Sequence, residues 1–357
     1  MKIASVTARA EDLGLTRPYA IAFRTVTSVQ NMIVEIRSAD GRLGLGAASP
    51  EPKVTGETAE IYRASLTEGE LSWLAGRDVR TLHALCRELS LRMPHAPAAR
   101  AAVDMALHDL FAQDLDLPLA DALGRVHDGL ATSITIGIKG VEETLSEARE
   151  YLGRGFTILK VKTGDDLATD LARLARLREE IGPEIRIRAD ANQGYTREET
   201  LRFFDATENL DIEFVEQPVA AGSVDVLREL PEAVKERIAA DESLLNEKDA
   251  LDLAAPPRAC GIFNIKLMKC GGIRPALRIA AIAETAGIDL MWGCMDESRI
   301  SIAAALHAAF ASPATKYLDL DGSLDLARDV AEGGFVLEKG VMKPSPRPGL
   351  GLLPVAS

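Results

Sequence analysis

Five charged residues recur at near-constant intervals in this chain, each at or near the end of a segment with strand-like composition. They are Lys162, Asp190, Glu216, Asp241 and Lys266, and successive members lie 25 to 28 residues apart. One strand, one helix and two short loops take about that length. In a parallel barrel the carboxyl ends of the strands open at one face, where such enzymes hold their chemistry. The spacing therefore predicts a βα barrel with these side chains at its mouth.

The wider pattern of apolar residues predicts a second, differently built part. From Thr132 onward, strand-like and helix-like segments alternate through about eight strands, which predicts an α/β fold with a (β/α)8-type barrel over 126–330. Residues 1–125 instead contain strands followed by helices, which predicts an α+β capping domain. The Gly/Pro-rich segment 331–357 is expected to return to that capping domain.

Some boundaries follow from local signals. Ala39-Asp40-Gly41 predicts a hairpin turn, and apolar spacing predicts a helix over 98–115. The same reasoning predicts that 57–75 and 78–92 are helical and that a helix covers 223–235. It also predicts strands over 262–267 and 316–321.

Composition narrows the class of partner. The formal net charge of −13 argues against a nucleic-acid partner, because nucleic-acid binding depends on neutralising phosphates. The N-terminus has no signal-peptide pattern, and no apolar run is long enough to cross a bilayer. The four cysteines form no C-x-x-C pair. We therefore expect a cytoplasmic protein with reduced thiols, no membrane partner and a small-molecule ligand, with a homo-oligomer left open.

The three acids of the series suggest a metal site. Oxygen ligands from Asp190, Glu216 and Asp241, on neighbouring strands, suit a hard cation such as Mg²⁺. The competing interpretation is that Asp190 and Asp241 each cap a following helix. Three acids in register at successive strand ends favour the metal site over separate caps.

The lysines suggest proton transfer. Lys160 and Lys162 face one side of their strand, because strand side chains alternate with period two. Their mutual repulsion and a nearby cation should lower the lysine pKa, although a solvated strand end is the simpler alternative for Lys162. Lys266 lies four strands further round and approaches from the opposite side. Two such bases predict proton removal on one face of a metal-held carboxylate and return on the other, through an enediolate next to Lys160.

At these residues the chain resembles the enolase superfamily, in the muconate-lactonizing subgroup, and especially dipeptide epimerases of the L-Ala-D/L-Glu type. The matching motifs are Lys160-Val161-Lys162, RADANQG, VEQP, ADES and NIKLMKCGG. The resemblance implies an isomerase with one Mg²⁺ per subunit, held by Asp190, Glu216 and Asp241. It implies Lys162 and Lys266 as the acid/base pair. It also places Thr135 in the site and assigns the dipeptide ammonium to Asp319 and Asp321. A turn capped by Asp is the alternative for that last pair.

The sequence gives weaker evidence on which side chains the dipeptide substrate carries. Arg24 matches an arginine of the Ala-Glu epimerases and could pair with an acidic substrate. Glu51 and Asp296 stand where that type has uncharged residues, and Asp325 and Asp329 could add further negative charge. Extra carboxylates favour Lys- or Arg-containing dipeptides, unless they are solvated loop acids.

Three other functions stay open. One is L-Ala-D/L-Glu epimerisation. A second is cycloisomerase or o-succinylbenzoate synthase activity within the same subgroup, which needs no ammonium site at Asp319 and Asp321. The third is a barrel that binds metal and ligand without turnover, against which the presence of two opposed lysines argues.

Overall fold

The computed structural model describes residues 1–17, 19–21, 24–26 and 28–355. Five strands open the chain: β1 (Ile3–Asp12), β2 (Tyr19–Ile21), β3 (Arg24–Val26), β4 (Gln30–Ser38) and β5 (Leu43–Ala48). Strands β1, β4 and β5 form an antiparallel sheet in that order, and β2 pairs with β3. The expected turn at 39–41 joins β4 to β5, with Gly41 at a φ of +92°.

Helices then cover this sheet: α1 (Pro52–Thr55), α2 (Ala59–Ser65), α3 (Glu68–Leu71), α4 (Leu82–Arg92), α5 (Pro97–Asp114) and α6 (Leu119–Leu123). Helix α5 runs close across β5, and a Cβ on Gly46 would lie 1.8 Å from the Ala102 carbonyl oxygen. The segment 78–92 is helical as predicted, through a 3₁₀ turn (Val79–Thr81) and α4, whereas the segment 57–75 divides into α2, α3 and a 3₁₀ turn (Ser72–Leu74). The side chains of Thr58 and Thr67 accept hydrogen bonds from backbone N–H groups three residues on, so each starts a new helix.

The central part of the chain alternates between strands and helices. In chain order the elements are β6 (Leu130–Ala131), β7 (Ile134–Ile136), α7 (Val141–Gly153), β8 (Ile158–Lys162), α8 (Leu167–Ile181), β9 (Arg186–Asp190), α9 (Arg197–Ala206), β10 (Ile212–Glu216), α10 (Val224–Arg228), α11 (Glu232–Lys235), β11 (Ile238–Ala240), α12 (Glu247–Ala254), β12 (Ile262–Ile265), α13 (Leu267–Cys270), α14 (Ile273–Ala286), β13 (Asp289–Trp292), α15 (Arg299–Ala309) and β14 (Thr315–Leu318).

Strands β7 to β14 form one parallel eight-stranded sheet in chain order. A bridge between Thr132 and Leu318 brings the last strand back to the start of the first, and Ser133 N donates to Leu318 O at 3.0 Å. The predicted barrel is therefore confirmed. Its eight strands place their carboxyl ends around one mouth.

Three predicted elements in the barrel are too long. The helix expected over 223–235 splits before Pro231, because a proline disfavours helical backbone in the preceding residue. Strand β12 stops at Ile265, where the chain turns into α13. Strand β14 stops at Leu318, so Asp319 and Asp321 follow the strand instead of belonging to it.

The C-terminal segment forms strands β15 (Ala331–Gly333), β16 (Phe335–Glu338), β17 (Val341–Pro344) and β18 (Leu352–Pro354). Strand β17 pairs with both β16 and β6, and β15 pairs with β18. Asp109 on α5 accepts hydrogen bonds from Leu45 N at 3.0 Å and Leu350 N at 2.8 Å. The C-terminal segment is thereby tied to the N-terminal sheet and helices. No described helix has both the length and the apolar character that a membrane crossing requires.

Candidate active site

The charged series lies at the barrel mouth. Lys162, Asp190 and Glu216 are the last residues of β8, β9 and β10. Asp241 and Lys266 come immediately after β11 and β12. Parallel pairing places Lys162 opposite Asp190 and Asp190 opposite Glu216. Of the series, Lys162, Asp241 and Lys266 line a cavity of about 440 Å³ between the mouth and the N-terminal part of the chain.

The three acids form a buried group of oxygen ligands. Asp190 and Glu216 are fully inaccessible to solvent, and Asp241 is 1% exposed. Burial, and next the charge of Asp190, raise the pKa of Glu216 to about 8. Hard carboxylate oxygens brought together from three neighbouring strand ends fit Mg²⁺. Of the residues predicted to hold the metal, the structure thus brings all three together.

Lys160 lies at the centre of this group. Its Nζ is 3.0 Å from Asp190 Oδ2, 2.7 Å from Glu216 Oε2 and 2.8 Å from Asp319 Oδ2. Burial lowers the pKa of Lys160, but these three carboxylates raise it by more. The side chain therefore stays protonated, as a fixed positive charge on the cavity floor.

The two candidate bases contact different metal-site acids. Lys162 Nζ donates to Asp190 Oδ2 at 2.6 Å and to Asn192 Oδ1 at 3.0 Å. Lys266 Nζ donates to Asp241 Oδ2 at 2.8 Å. Burial lowers the pKa of Lys266, while Asp241 raises it by more. The protein's own groups thus hold the pKa of Lys266 above its usual value, and they do the same for Lys160, for which the prediction of a lowered pKa is wrong. A cation bound to Asp241 would compete for the oxygen that Lys266 now contacts.

Across the mouth, Asp319 and Asp321 occupy different settings. Asp319 accepts hydrogen bonds from Lys160 and from Ser133 Oγ, at 2.8 and 2.7 Å. Asp321 accepts from the backbone N of Thr135 at 2.7 Å, so Thr135 contributes through its main chain. Both acids line the cavity on the side opposite β10. This arrangement leaves Asp321 as the carboxylate better placed to receive an external cation.

The rim carries the residues predicted to select the substrate side chain. Glu51 and Asp296 both line the cavity, and Ser49 Oγ donates to the Asp296 carbonyl at 2.6 Å. Asp329 does not line it. The Asp329 carboxylate caps α15, accepting from Ser298 Oγ at 2.7 Å and Arg299 N at 2.6 Å. The side chain of Arg24 lies outside the described residues, so its predicted pairing stays a prediction.

Several site residues were missed from the sequence. Lys269 is buried and donates to the carbonyl of Asp241 at 2.7 Å as well as to its carboxylate. Asn264 donates to Glu216 Oε1 at 2.7 Å, and Asn192 contacts Lys162. Lys269 follows Lys266 by one helical turn of α13, a spacing that could have identified it. The two asparagines carry no charge signal in the sequence.

Comparison with known proteins agrees with this geometry. Residues 3–124 match the N-terminal domain of mandelate racemase / muconate lactonizing enzyme, and residues 143–355 match the enolase C-terminal domain-like family. The chain is 65% identical to an L-Lys-D/L-Arg epimerase of Methylococcus capsulatus over 99% of both chains. It is 34% identical to the L-Ala-D/L-Glu epimerase of Bacillus subtilis, over 100% of this chain and 98% of that one.

A solved structure extends the likeness to three dimensions. The dipeptide epimerase from Methylococcus capsulatus, in complex with Mg and the dipeptide L-Arg-D-Lys, superposes with a TM-score of 0.98. The superposition covers 99% of this chain and 100% of the other, at 65% sequence identity. The shared architecture therefore extends over both the barrel and the part that covers it.

Proposed function

Since the chain belongs to the mandelate racemase / muconate lactonizing enzyme family of the enolase superfamily, we propose that it is a Mg²⁺-dependent dipeptide epimerase that prefers cationic dipeptides. The observation that carries the proposal is the pair of opposed lysines, Lys162 on β8 and Lys266 after β12. They flank a buried acidic cluster that faces Asp321 across the mouth. A dipeptide has a carboxylate at one end and an ammonium at the other, which matches these two sides.

The metal would be held by Asp190, Glu216 and Asp241, and when bound it would stabilise negative charge on the substrate carboxylate. Asp321 receives the ammonium at the other end. A dipeptide held at both ends lies across the mouth, with the α-carbon of its C-terminal residue between the two lysines. Holding both ends fixes the α-hydrogen relative to each base.

Inversion then needs two proton transfers. One lysine removes the α-proton, and the other returns a proton to the opposite face. Negative charge passes into the substrate carboxylate as an enediolate, where the protonated Lys160 stabilises it through charge and hydrogen bonding. The configuration at that one carbon is inverted, and the N-terminal residue is left unchanged.

The preference for cationic side chains rests on charge at the rim. Glu51 and Asp296 place carboxylates where a Lys or Arg side chain of the substrate would extend, and they would repel Glu. The 65% identical relative is an L-Lys-D/L-Arg epimerase. L-Ala-D/L-Glu epimerisation is the second candidate, since the L-Ala-D/L-Glu epimerase of Bacillus subtilis is also a relative.

The testing experiment is α-proton exchange in D₂O with Mg²⁺, by mass spectrometry, over L,L-dipeptides with varied side chains. We expect exchange concentrated in Lys- and Arg-containing dipeptides. Lys266→Ala should lose epimerisation, by at least about a thousandfold, but keep exchange with the one diastereomer whose proton faces Lys162. Lys162→Ala should show the opposite selectivity.

The exposed Lys248 supplies a matched control, because Lys248→Ala removes the same side chain outside the site. Near-full epimerisation by either active-site variant would contradict the two-base scheme. Exchange mainly in L-Ala-L-Glu would reassign the substrate within the same reaction. No exchange in any dipeptide would favour the cycloisomerase or synthase alternatives, or a barrel that only binds. Cytoplasmic placement and a homo-oligomer stay predictions.

A further inference from the structure

Asp325 lies in the turn that follows Asp321. Leu324 N donates to the Asp321 carbonyl at 2.8 Å and closes this turn. Thr16 fixes the backbone of Asp325, because its N and its Oγ1 donate to the Asp325 carbonyl at 2.8 and 3.0 Å. The position of Asp325 is thus held by contacts that leave its carboxylate unused.

That carboxylate lines the cavity and is partly exposed. Within the described part of the chain it forms no hydrogen bond and no ion pair. Asp329, four residues later, has both carboxylate oxygens occupied by the start of α15. Of these two downstream acids, only Asp325 is therefore available to a ligand.

The neighbouring charges are already paired. Lys139 Nζ lies 2.8 Å from Glu147 Oε2, and Tyr151 OH donates to Glu147 at 3.1 Å. Arg17 forms two parallel hydrogen bonds with Glu150, at 2.9 and 2.7 Å. Two ion pairs contribute no net charge, so Asp325 makes this corner of the cavity negative.

The part of the cavity beside Asp325 lies close to where the side chain of the substrate's N-terminal residue must begin. The α-carbon of the N-terminal residue is one bond from the ammonium, which the proposed function places at Asp321. The next α-carbon along a trans peptide is 3.8 Å further on, between the lysines. The N-terminal side chain therefore starts beside Asp321, one turn of chain from Asp325.

We propose that Asp325 is a specificity residue that pairs with the cationic side chain of the N-terminal residue of the dipeptide. The proposal rests on the proposed function and deepens it, because it assigns one carboxylate to one position of the substrate. Lys and Arg both fit, since a carboxylate accepts hydrogen bonds from an ammonium or a guanidinium.

The test compares three substrates for the wild type and Asp325→Asn: L-Lys-L-Ala, L-norleucyl-L-Ala and L-Ala-L-Lys. Norleucine keeps the apolar stem of lysine and lacks the ammonium. We expect kcat/KM for L-Lys-L-Ala to fall about tenfold, mainly through KM, as a lost charge-assisted hydrogen bond implies. The values for the other two substrates should change less than about twofold.

Two further variants distinguish recognition of the substrate's charge from a structural effect of the substitution. Asp325→Glu keeps the carboxylate and should recover most of the preference for L-Lys-L-Ala. Asp128→Asn removes one charge from a side chain that is 97% exposed and lies outside the cavity lining, and it controls for long-range fields. A structural role for Asp325 would lower kcat/KM for all three substrates together.

The outcomes are distinguishable. Asp325→Asn with an undiminished preference for L-Lys-L-Ala over L-norleucyl-L-Ala would overturn the assignment and leave the epimerase intact. An equal loss on L-Ala-L-Lys would overturn it too. Wild-type protein that exchanges the α-proton of none of the three substrates would remove the proposed function along with the assignment.

Discussion

At the scale of single residues, Asp319 and Asp321 show how position separates two identical side chains. Burial raises the pKa of Asp319, but its contact with Lys160 outweighs this and lowers it. Burial and then the charge of Asp319 raise the pKa of Asp321 to about 7. Asp319 therefore holds Lys160 in place, while Asp321 gains most from a cationic ligand.

The raised pKa of Asp321 predicts a pH dependence of substrate capture. Above about pH 7 the carboxylate is ionised and can pair with the dipeptide ammonium, and below that it is neutral. We expect kcat/KM to fall as the pH drops from 8 to 6. Asp321→Asn should lose this inflection and lower kcat/KM at pH 8 by about tenfold or more, chiefly through KM. Steady-state kinetics across this pH range checks both.

Because other groups can also titrate in this pH range, the pH profile of Asp321→Asn must be compared with that of the wild type. An inflection of equal size in Asp321→Asn would assign the pH dependence elsewhere. A cycloisomerase would be nearly insensitive to the substitution, because its substrate needs no ammonium site. The same variant therefore also tests the reaction class.

The sequence predicted these residues unevenly. Asp190, Glu216 and Asp241 could be found because a strand end in a regular βα repeat fixes where a side chain lies. Asn264 and Asn192 could not, because a neutral amide carries no charge signal and its partner depends on how neighbouring strand ends meet. Thr135 was named from the resemblance, but its role through the backbone N appears only in three dimensions.

At the scale of elements, Asp104 links the helices of the N-terminal part to the barrel. It lies on α5, and its Oδ1 accepts from Ile273 N, at the start of α14, at 2.6 Å. His108 Nδ1 lies 3.2 Å from the same oxygen, and the pKa of His108 is raised because Asp104 outweighs the effect of burial. One buried carboxylate thus caps a barrel helix and raises the pKa of a histidine.

Removing this carboxylate should destabilise the protein. Asp104→Ala leaves the start of α14 uncapped and removes the charge beside the buried His108, whose Nδ1 keeps only the backbone carbonyl of residue 104 at 2.8 Å. We expect a loss of about 2 kcal/mol in the free energy of unfolding. Asp104→Asn keeps an acceptor oxygen and should lose less. Chemical denaturation of both variants and the wild type checks the order. Equal stability of Asp104→Ala and the wild type would show that solvent or other groups satisfy the helix.

Some helices and strands are shorter in the structure than the sequence predicted, because side-chain caps and turns end them early. The segment 57–75 divides because the side chains of Thr58 and Thr67 accept hydrogen bonds from backbone N–H groups and so begin separate helices. Whether such a threonine caps a helix or lies inside one depends on the packing around it. The expected strand over 316–321 stopped early, as the backbone turned to aim Asp321 into the cavity. Apolar period gives the type of an element more securely than its end. The division at 125/126 and 330/331 stays a prediction.

At the scale of the whole molecule, the chain closes on itself through its C-terminal segment. The sequence predicted that 331–357 would return to the N-terminal part, because this segment is rich in Gly and Pro and contains no clear helix. The sequence could not show which residues connect this segment to the N-terminal part. One such contact is Asp109 on α5, which accepts from Leu45 N, Leu350 N and Gln113 Nε2. The barrel was predictable from a repeat, whereas this closure depends on a buried acid and on backbone pairs between distant segments, such as Leu119 N to Gly349 O at 2.7 Å.

Asp109 makes that closure sensitive to pH. Burial raises its pKa to about 6 in the folded protein, against about 3.9 in an unfolded chain. The folded state therefore binds this proton more tightly, and its stabilising contribution is full below about pH 4 and lost as the pH rises through about 6. The two pKa values correspond to about 3 kcal/mol of stability.

Asp109→Asn removes the titration, because an amide does not ionise. We expect the free energy of unfolding of the wild type, minus that of the variant, to fall by about 2 kcal/mol between pH 4 and pH 7, because the unfolded carboxyl is already about half ionised at pH 4. Denaturation of both proteins across this range measures it. Asp225→Asn, at a side chain that is 91% exposed, sets the baseline for losing a surface carboxylate. A difference that stays constant with pH would mean that the three donors keep Asp109 ionised in both states. The C-terminal segment would then be held with equal strength at both ends of the range.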